Sequence, residues 1–192
     1  MKRLQEYIKK YGIIDIEKDI LRIDSFLNHQ IDICLLNEIA QEFKRIFSDI
    51  KPDKILTIES SGIAIATLVS TYFDYCPVLY AKKSDSLNVS NDRYITFEKS
   101  YTRATECSVQ VSKQYLNENE NILIIDDFLA NGEALNSLVE LCKQAKVNVL
   151  GCGVVVCKSY QPGLKRIKDM GIRVECLTKI KSLDNDIVFE ED

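Results

Sequence analysis

The stretch Asn121-Ile122-Leu123-Ile124-Ile125-Asp126-Asp127-Phe128-Leu129-Ala130-Asn131-Gly132-Glu133-Ala134 restricts the fold more than any other part of this chain. Its four consecutive apolar residues, 122–125, read as a strand buried on both faces, as in a parallel sheet with helices on either side. Ligands of such sheets sit at the carboxyl ends of the strands. Asp126 and Asp127 fall at that end, followed by the small-residue turn Ala130-Asn131-Gly132, before Leu135, Leu138, Val139 and Cys142 mark a helix. Phe128 and Leu129 are expected beside the turn, outside any element.

Two adjacent carboxylates suit the vicinal hydroxyls of a sugar, and amides at a helix start suit a phosphate on the same sugar. The implied ligand is a ribose phosphate. The plainer alternative, an aspartate capping the helix, explains one acid but not two. A second amide-rich turn, Glu59-Ser60-Ser61-Gly62, follows the strand-like residues 55–58 and opens another helical stretch, so a further phosphate fits there. Its alternative is an ordinary helix start capped by serine. Lys82 and Lys83 end the next strand, where cations would neutralise an anionic leaving group; alone they would be a solvated strand end. Lys158 ends the apolar run Val154-Val155-Val156-Cys157, where a cation could donate to an oxygen of a ligand; alone it would be a solvated strand end.

The chain has 192 residues, 46% of them hydrophobic, which suits one α/β domain, residues 1–192, with a sizeable core and a small N-terminal hood, residues 1–50. A net charge of −4 argues against a nucleic-acid surface, because phosphate-backbone binding needs clustered Lys and Arg. No apolar run approaches a membrane span, and charges occupy the start where a secretory signal needs its apolar stretch, so a cytoplasmic protein without a membrane partner is expected. Seven cysteines form no Cys-x-x-Cys pair, and neither a disulfide framework nor a zinc site follows.

Leu4, Tyr7, Ile8 and Tyr11 recur at helical spacing with Gly12 as a stop, and Ile31, Leu35, Leu36, Ile39, Phe43, Ile46 and Phe47 form a longer stripe. Between them, residues 24–30 are expected as a lid or hood. From Lys54 onward, short apolar runs alternate with helical ones: strands over 55–58, 77–81, 109–115, 122–125, 149–157 and 173–178, helices over 62–73, 132–145 and 164–170. Residues 82–107, polar and weakly periodic, are expected as an irregular active-site cover. Lys165, Arg166 and Lys168 read as the wet face of a helix.

The strand, acidic pair and Asn-Gly turn resemble the phosphoribosyl-pyrophosphate motif of type I phosphoribosyltransferases. Leu21-Arg22-Ile23-Asp24-Ser25-Phe26-Leu27-Asn28-His29-Gln30, Thr57-Ile58-Glu59-Ser60-Ser61-Gly62-Ile63-Ala64 and Lys158-Ser159-Tyr160-Gln161-Pro162-Gly163 extend the resemblance over nearly the whole chain, toward the xanthine-using bacterial branch. The resemblance implies that family's fold, a central parallel sheet flanked by helices with an N-terminal hood, and a C-terminal segment, residues 173–192, over the base site. It further implies transfer of phosphoribose from 5-phosphoribosyl 1-pyrophosphate to xanthine in purine salvage. Adenine or hypoxanthine-guanine transfer, or a non-catalytic regulator, are the alternatives. It assigns Asp126 and Asp127 to catalysis, and Ala130, Asn131, Gly132, Glu133 and Ala134 to the phosphoribosyl group. Glu59, Ser60, Ser61 and Gly62, with Lys82 and Lys83, go to the pyrophosphate, Ser100-Tyr101-Thr102 being a weaker candidate for the same role. Leu21, Asn28 and Lys158 go to the purine. Magnesium would arrive with the pyrophosphate and not on direct protein ligands, and a homodimer is the implied assembly. Glu133 departs from the family pattern, since a carboxylate in a phosphate loop is repulsive unless it points away.

Overall fold

The computed structural model describes residues 1–84, 92–98, 107–184 and 186–191. The chain opens with α1 (Lys2–Tyr11), then a hairpin of β1 (Ile13–Asp15) and β2 (Ile20–Arg22), a π-helical turn over Asp24–Asn28, and α2 (Ile33–Ile46). There follow β3 (Lys54–Ile58), α3 (Ser61–Thr71), β4 (Val78–Ser84), β5 (Arg93–Glu98), β6 (Cys107–Ser112), β7 (Asn121–Leu129) and α4 (Glu133–Ala145). The last elements are β8 (Asn148–Lys158), α5 (Gly163–Asp169), β9 (Val174–Ser182) and β10 (Val188–Phe189).

Among the described residues one eight-stranded sheet has the order β10-β9-β8-β7-β3-β4-β6-β5. The five strands from β9 to β4 run parallel, and β10, β6 and β5 add antiparallel margins. Apolar layers cover both faces, which explains why β3 is buried along its whole length. Leu123 and Ile125 of β7 face α1, α2 and α3, whereas Ile122 and Ile124 face α4 and α5. Each fully buried Ile or Leu in these layers contributes about 1.5–3 kcal/mol.

From β3 the chain winds one way across the sheet to β4, and from β7 it winds the other way to β8 and β9. The crevice at the carboxyl ends of β3 and β7 is therefore where an open α/β sheet binds its ligand. The opposite, amino edge is fastened: the Lys54 ammonium donates to the Tyr115 carbonyl at 2.5 Å and to both Glu120 oxygens at 2.9 and 3.0 Å.

Two expectations change here. Within 82–107, β4 continues to Ser84 and Tyr94-Ile95-Thr96-Phe97 pair as strand with β6, because aromatic and β-branched side chains suit a half-buried strand. The segment is thus not irregular throughout, and residues 85–91 and 99–106 lie outside the described ones. The 24–30 segment is no purely polar flap, since Phe26 and Leu27 of its π-helical turn are buried in the core.

Candidate active site

β7 does not stop at Ile125. Pairing with β8 carries it on to Leu129, with Phe128 opposite Val156 and Leu129 opposite Cys157, so these two bulky residues belong to the strand and not to a loop. Ile125 and Phe128 pack on one face and Leu129 on the other, while the pairing with β8 keeps a single register from Leu123 to Leu129, so the acidic pair sits within regular strand. Asp126 is 2% exposed and Asp127 8%. The Asp127 amide donates to Asp126 Oδ1 at 3.0 Å. Burial first, and then the charge of Asp127, push the Asp126 carboxyl well above the ordinary carboxylate range, while the charge of Lys83 pulls the other way.

Neither aspartate caps α4. Gly132 stands at its start with φ of +84°, and no side chain caps the helix. α3 likewise begins at Ser60 without a side-chain cap, so the serine-cap alternative fails there. The contrast is α2, where Asp32 Oδ1 accepts from the Leu35 amide at 3.0 Å. These two helix starts, both at the carboxyl edge, thus keep their first amides clear of a capping side chain. The left-handed backbone at Gly132 excludes most residues, and an added Cβ would stand 2.9 Å from the Gly163 Cα. Gly163 in turn donates its amide to the Ala130 carbonyl at 3.0 Å, which ties this turn to the one after β8. A cavity of about 290 Å³ opens over Ala130, Asn131, Gly132, Glu133 and Ala134, with Lys83 on its rim.

Glu133 turns aside from that cavity's amides: its Oε1 accepts from Arg166 Nη1 at 2.8 Å. Arg166 is therefore not merely part of a wet helix face, since it neutralises the one carboxylate in the turn.

At the second turn, Glu59 Oε1 accepts from the Lys83 amide at 2.6 Å. The peptide between Glu59 and Ser60 is cis. An added Cβ at Gly62 would meet Thr57 Oγ1 at 2.0 Å and Asp126 Oδ1 at 3.4 Å, so only glycine lets α3 start this close to the acidic pair. The Thr57 hydroxyl there is buried with no partner. The two lysines part company: Lys83 borders the cavity beside Gly132, whereas Lys82 borders another, of about 350 Å³, with Tyr80, Arg93 and Gln110. Ser100, Tyr101 and Thr102 lie outside the described residues.

Lys158, 6% exposed, ends β8 two strands from β3. Its ammonium donates to the Asp19 carbonyl and lies 3.5 Å from Asp19 Oδ1. Asp19 forms the turn between β1 and β2, so the hairpin folds over the lysine and places Leu21 just beyond it, packed in the core. Burial alone would raise the Asp19 carboxyl; the Tyr160 hydroxyl, the Lys158 charge and the Gln161 amide outweigh it and hold the group below its usual range. Asn28 Oδ1, in the π-helical turn, is buried without a hydrogen-bond donor. Among the described residues no three His, Cys, Asp or Glu side chains converge as metal ligands, and no helix is long and apolar enough to cross a membrane.

Asp19, Thr57, Gln161 and Arg166 escape the sequence reading of the site. Arg166 had a signal in the uncompensated Glu133. Asp19 had none, because its partner Lys158 is 139 positions away.

The model of the phosphoribosyl transferase domain matches residues 23–186. The chain is 53% identical, over 188 residues and 98% of both chains, to a xanthine phosphoribosyltransferase of Clostridioides difficile strain 630. It is 47% identical over 189 residues to xanthine phosphoribosyltransferase 2 of Clostridium botulinum, covering 98% of this chain and 99% of the relative. Among solved structures, the adenine phosphoribosyltransferase of Thermoanaerobacter pseudethanolicus superposes with a TM-score of 0.76 at 18% identity, over 93% of this chain and 98% of the other, a likeness of fold. With its sheet order, its two uncapped helix starts and its buried acidic pair accounted for, the chain belongs to the phosphoribosyltransferase family.

Proposed function

We propose that the protein transfers the phosphoribosyl group of 5-phosphoribosyl 1-pyrophosphate to xanthine, releasing pyrophosphate and forming xanthosine 5′-monophosphate for purine salvage. The observation that carries this is the convergence on one sheet edge of a buried acidic pair, an uncapped left-handed glycine turn and a buried lysine. Relatives named for xanthine, 47–53% identical, support the choice of base.

Asp126 and Asp127 would accept from the ribose hydroxyls. The amides from Ala130 to Ala134 would hold the 5′-phosphate, with Arg166 keeping the Glu133 charge aside. The turn of Glu59, Ser60, Ser61 and Gly62 would hold the pyrophosphate, assisted by Lys83 and, from its own cavity, Lys82. As the bond from C1′ to the pyrophosphate oxygen breaks, its electron pair leaves with pyrophosphate and positive charge develops on the ribose ring. Two fixed carboxylates beside that ring lower the barrier. A purine ring nitrogen then bonds to C1′ and its proton passes to solvent. Leu21, Asn28 and Lys158 would line the base subsite, Lys158 donating to the six-oxygen.

A magnesium ion bound to the pyrophosphate would neutralise the leaving group. Magnesium keeps most of its waters and is commonly held by one or two carboxylates together with substrate phosphates, so an ion carried in on the pyrophosphate suits an edge that offers the buried acidic pair. The same reading takes the chain as a single domain hooded by residues 1–50 and closed by 173–192, acting as a homodimer. Seven free thiols suit the reducing cytoplasm.

A panel of purines with phosphoribosyl pyrophosphate and magnesium tests the proposal. Xanthosine monophosphate and pyrophosphate should form from xanthine, with adenine a poor substrate. Preferred formation of adenosine monophosphate would refute the base assignment, and absence of pyrophosphate release with every purine would point to a regulator.

A further inference from the structure

The amide of Gln161, three residues beyond Lys158, is pinned. Its Nε2 donates to Asp19 Oδ2 at 2.5 Å, and the same carboxylate accepts from the Tyr160 hydroxyl at 2.6 Å. A carboxylate only accepts, so the nitrogen of the amide must face it and the oxygen must point elsewhere. Gln161 Oε1 is buried there and meets no donor. Folded chains seldom leave a buried amide oxygen without one. Lys158 has the matching surplus. Of its three N–H donors, the Asp19 carbonyl takes one and the Asp19 carboxylate draws another. One donor and one acceptor therefore remain on a single turn, which the Gln161 backbone N–H closes by donating to the Lys158 carbonyl at 3.0 Å.

We propose that Gln161 is a specificity-determining residue of the base subsite, its Oε1 accepting the purine ring N–H that flanks the carbonyl engaged by Lys158. The inference rests on the placement of the purine at Lys158. An oxopurine presents a carbonyl oxygen beside an N–H, which satisfies both groups at once. Adenine presents an amino group beside a bare ring nitrogen, and both contacts become donor against donor and acceptor against acceptor. Asp19 is a positioning residue: it touches no substrate, and it holds the Gln161 amide the right way round.

Gln161→Met keeps the side-chain length and removes the acceptor. It should lower kcat/KM for xanthine roughly ten- to hundredfold, leave KM for phosphoribosyl pyrophosphate unchanged, and shrink the preference for xanthine over adenine. Asp19→Asn keeps its volume but frees the amide to turn over; it should cost xanthine less and improve adenine. Full retention of xanthine turnover in Gln161→Met overturns the inference, as does an equal loss for both bases or a parallel rise in KM for phosphoribosyl pyrophosphate. Should Gln161→Met fail to fold in thermal unfolding, an unchanged ratio of xanthine to adenine in Asp19→Asn overturns it instead. Lys158→Ala separates the two levels: loss of xanthine use there but not in Gln161→Met rejects the role of Gln161 alone, whereas no loss in Lys158→Ala rejects the base placement and this inference with it.

Discussion

The two ends of the carboxyl edge handle buried charge in opposite ways. At the β7 end, Asp126 and Asp127 are like charges pressed together out of water, and the ionised state of Asp126 is penalised. At the β8 end, Lys158 and Asp19 are unlike charges that already satisfy each other, with Tyr160 and Gln161 completing the carboxylate's shell. The first arrangement is uncomfortable until a cation develops beside it, and the second is comfortable until a ligand asks for a share. In the proposed reaction the first favours the transition state, while the second selects what enters.

The largest effect expected from this contrast is on turnover. Asp127→Asn and Asp126→Asn should each lower kcat about a hundred- to a thousandfold, measured by pyrophosphate release. Asp126→Asn should at the same time stabilise the ligand-free protein. Its folded pKa lies above the unfolded value, so its ionisation costs stability progressively as pH rises from about 4, and the amide removes that cost at neutral pH. Each kcal/mol recovered raises the melting temperature by about 2–4 °C in a chain of this size. A lower melting temperature would break the contrast by making Asp126 a structural residue.

Next in size is the turn itself. Gly132→Ala forces a Cβ into left-handed backbone and to 2.9 Å from Gly163, at a cost of about 1–2 kcal/mol for the backbone alone. KM for phosphoribosyl pyrophosphate should rise about tenfold, that same cost expressed as affinity, with a smaller change in KM for xanthine. Equal changes in both would show that the turn serves the whole edge and not the phosphate.

The smallest effect belongs to Asp19, which is partly exposed and screened by water. Its pKa is held below the unfolded value, so its contribution is present above about pH 4 and disappears as pH falls through the folded value. Melting temperatures of wild type and Asp19→Asn should differ at neutral pH and converge in acid. A difference that persists in acid would mean the hairpin is held by something other than this charge.

What the sequence makes legible is local chemistry. The strand, acids, turn and helix around Asp126 are contiguous, so one stretch carries the whole signal for the proposed phosphoribosyl end. Element limits set by a partner strand are less visible: Phe128 and Leu129 look like loop residues until Val156 and Cys157 pair with them. The aromatic and β-branched run Tyr94-Ile95-Thr96-Phe97 is a usable strand signal inside polar surroundings. Nothing local distinguishes Asp19 from any surface turn residue, because its role depends on a contact made only after the hairpin has docked on β8. The proposed base end is thus assembled by tertiary structure, and the proposed phosphoribosyl end mostly by sequence.

The contact between Gly132 and Gly163 gives these two ends a common origin of measurement. With main chain resting on main chain, no side chain intervenes to yield, and under the proposed function the span from the Gly132 turn to Lys158 would act as a fixed gauge for the length of a nucleotide. Evolution can retune either end by exchanging side chains, but inserting or deleting a residue in either turn would reset the gauge for both.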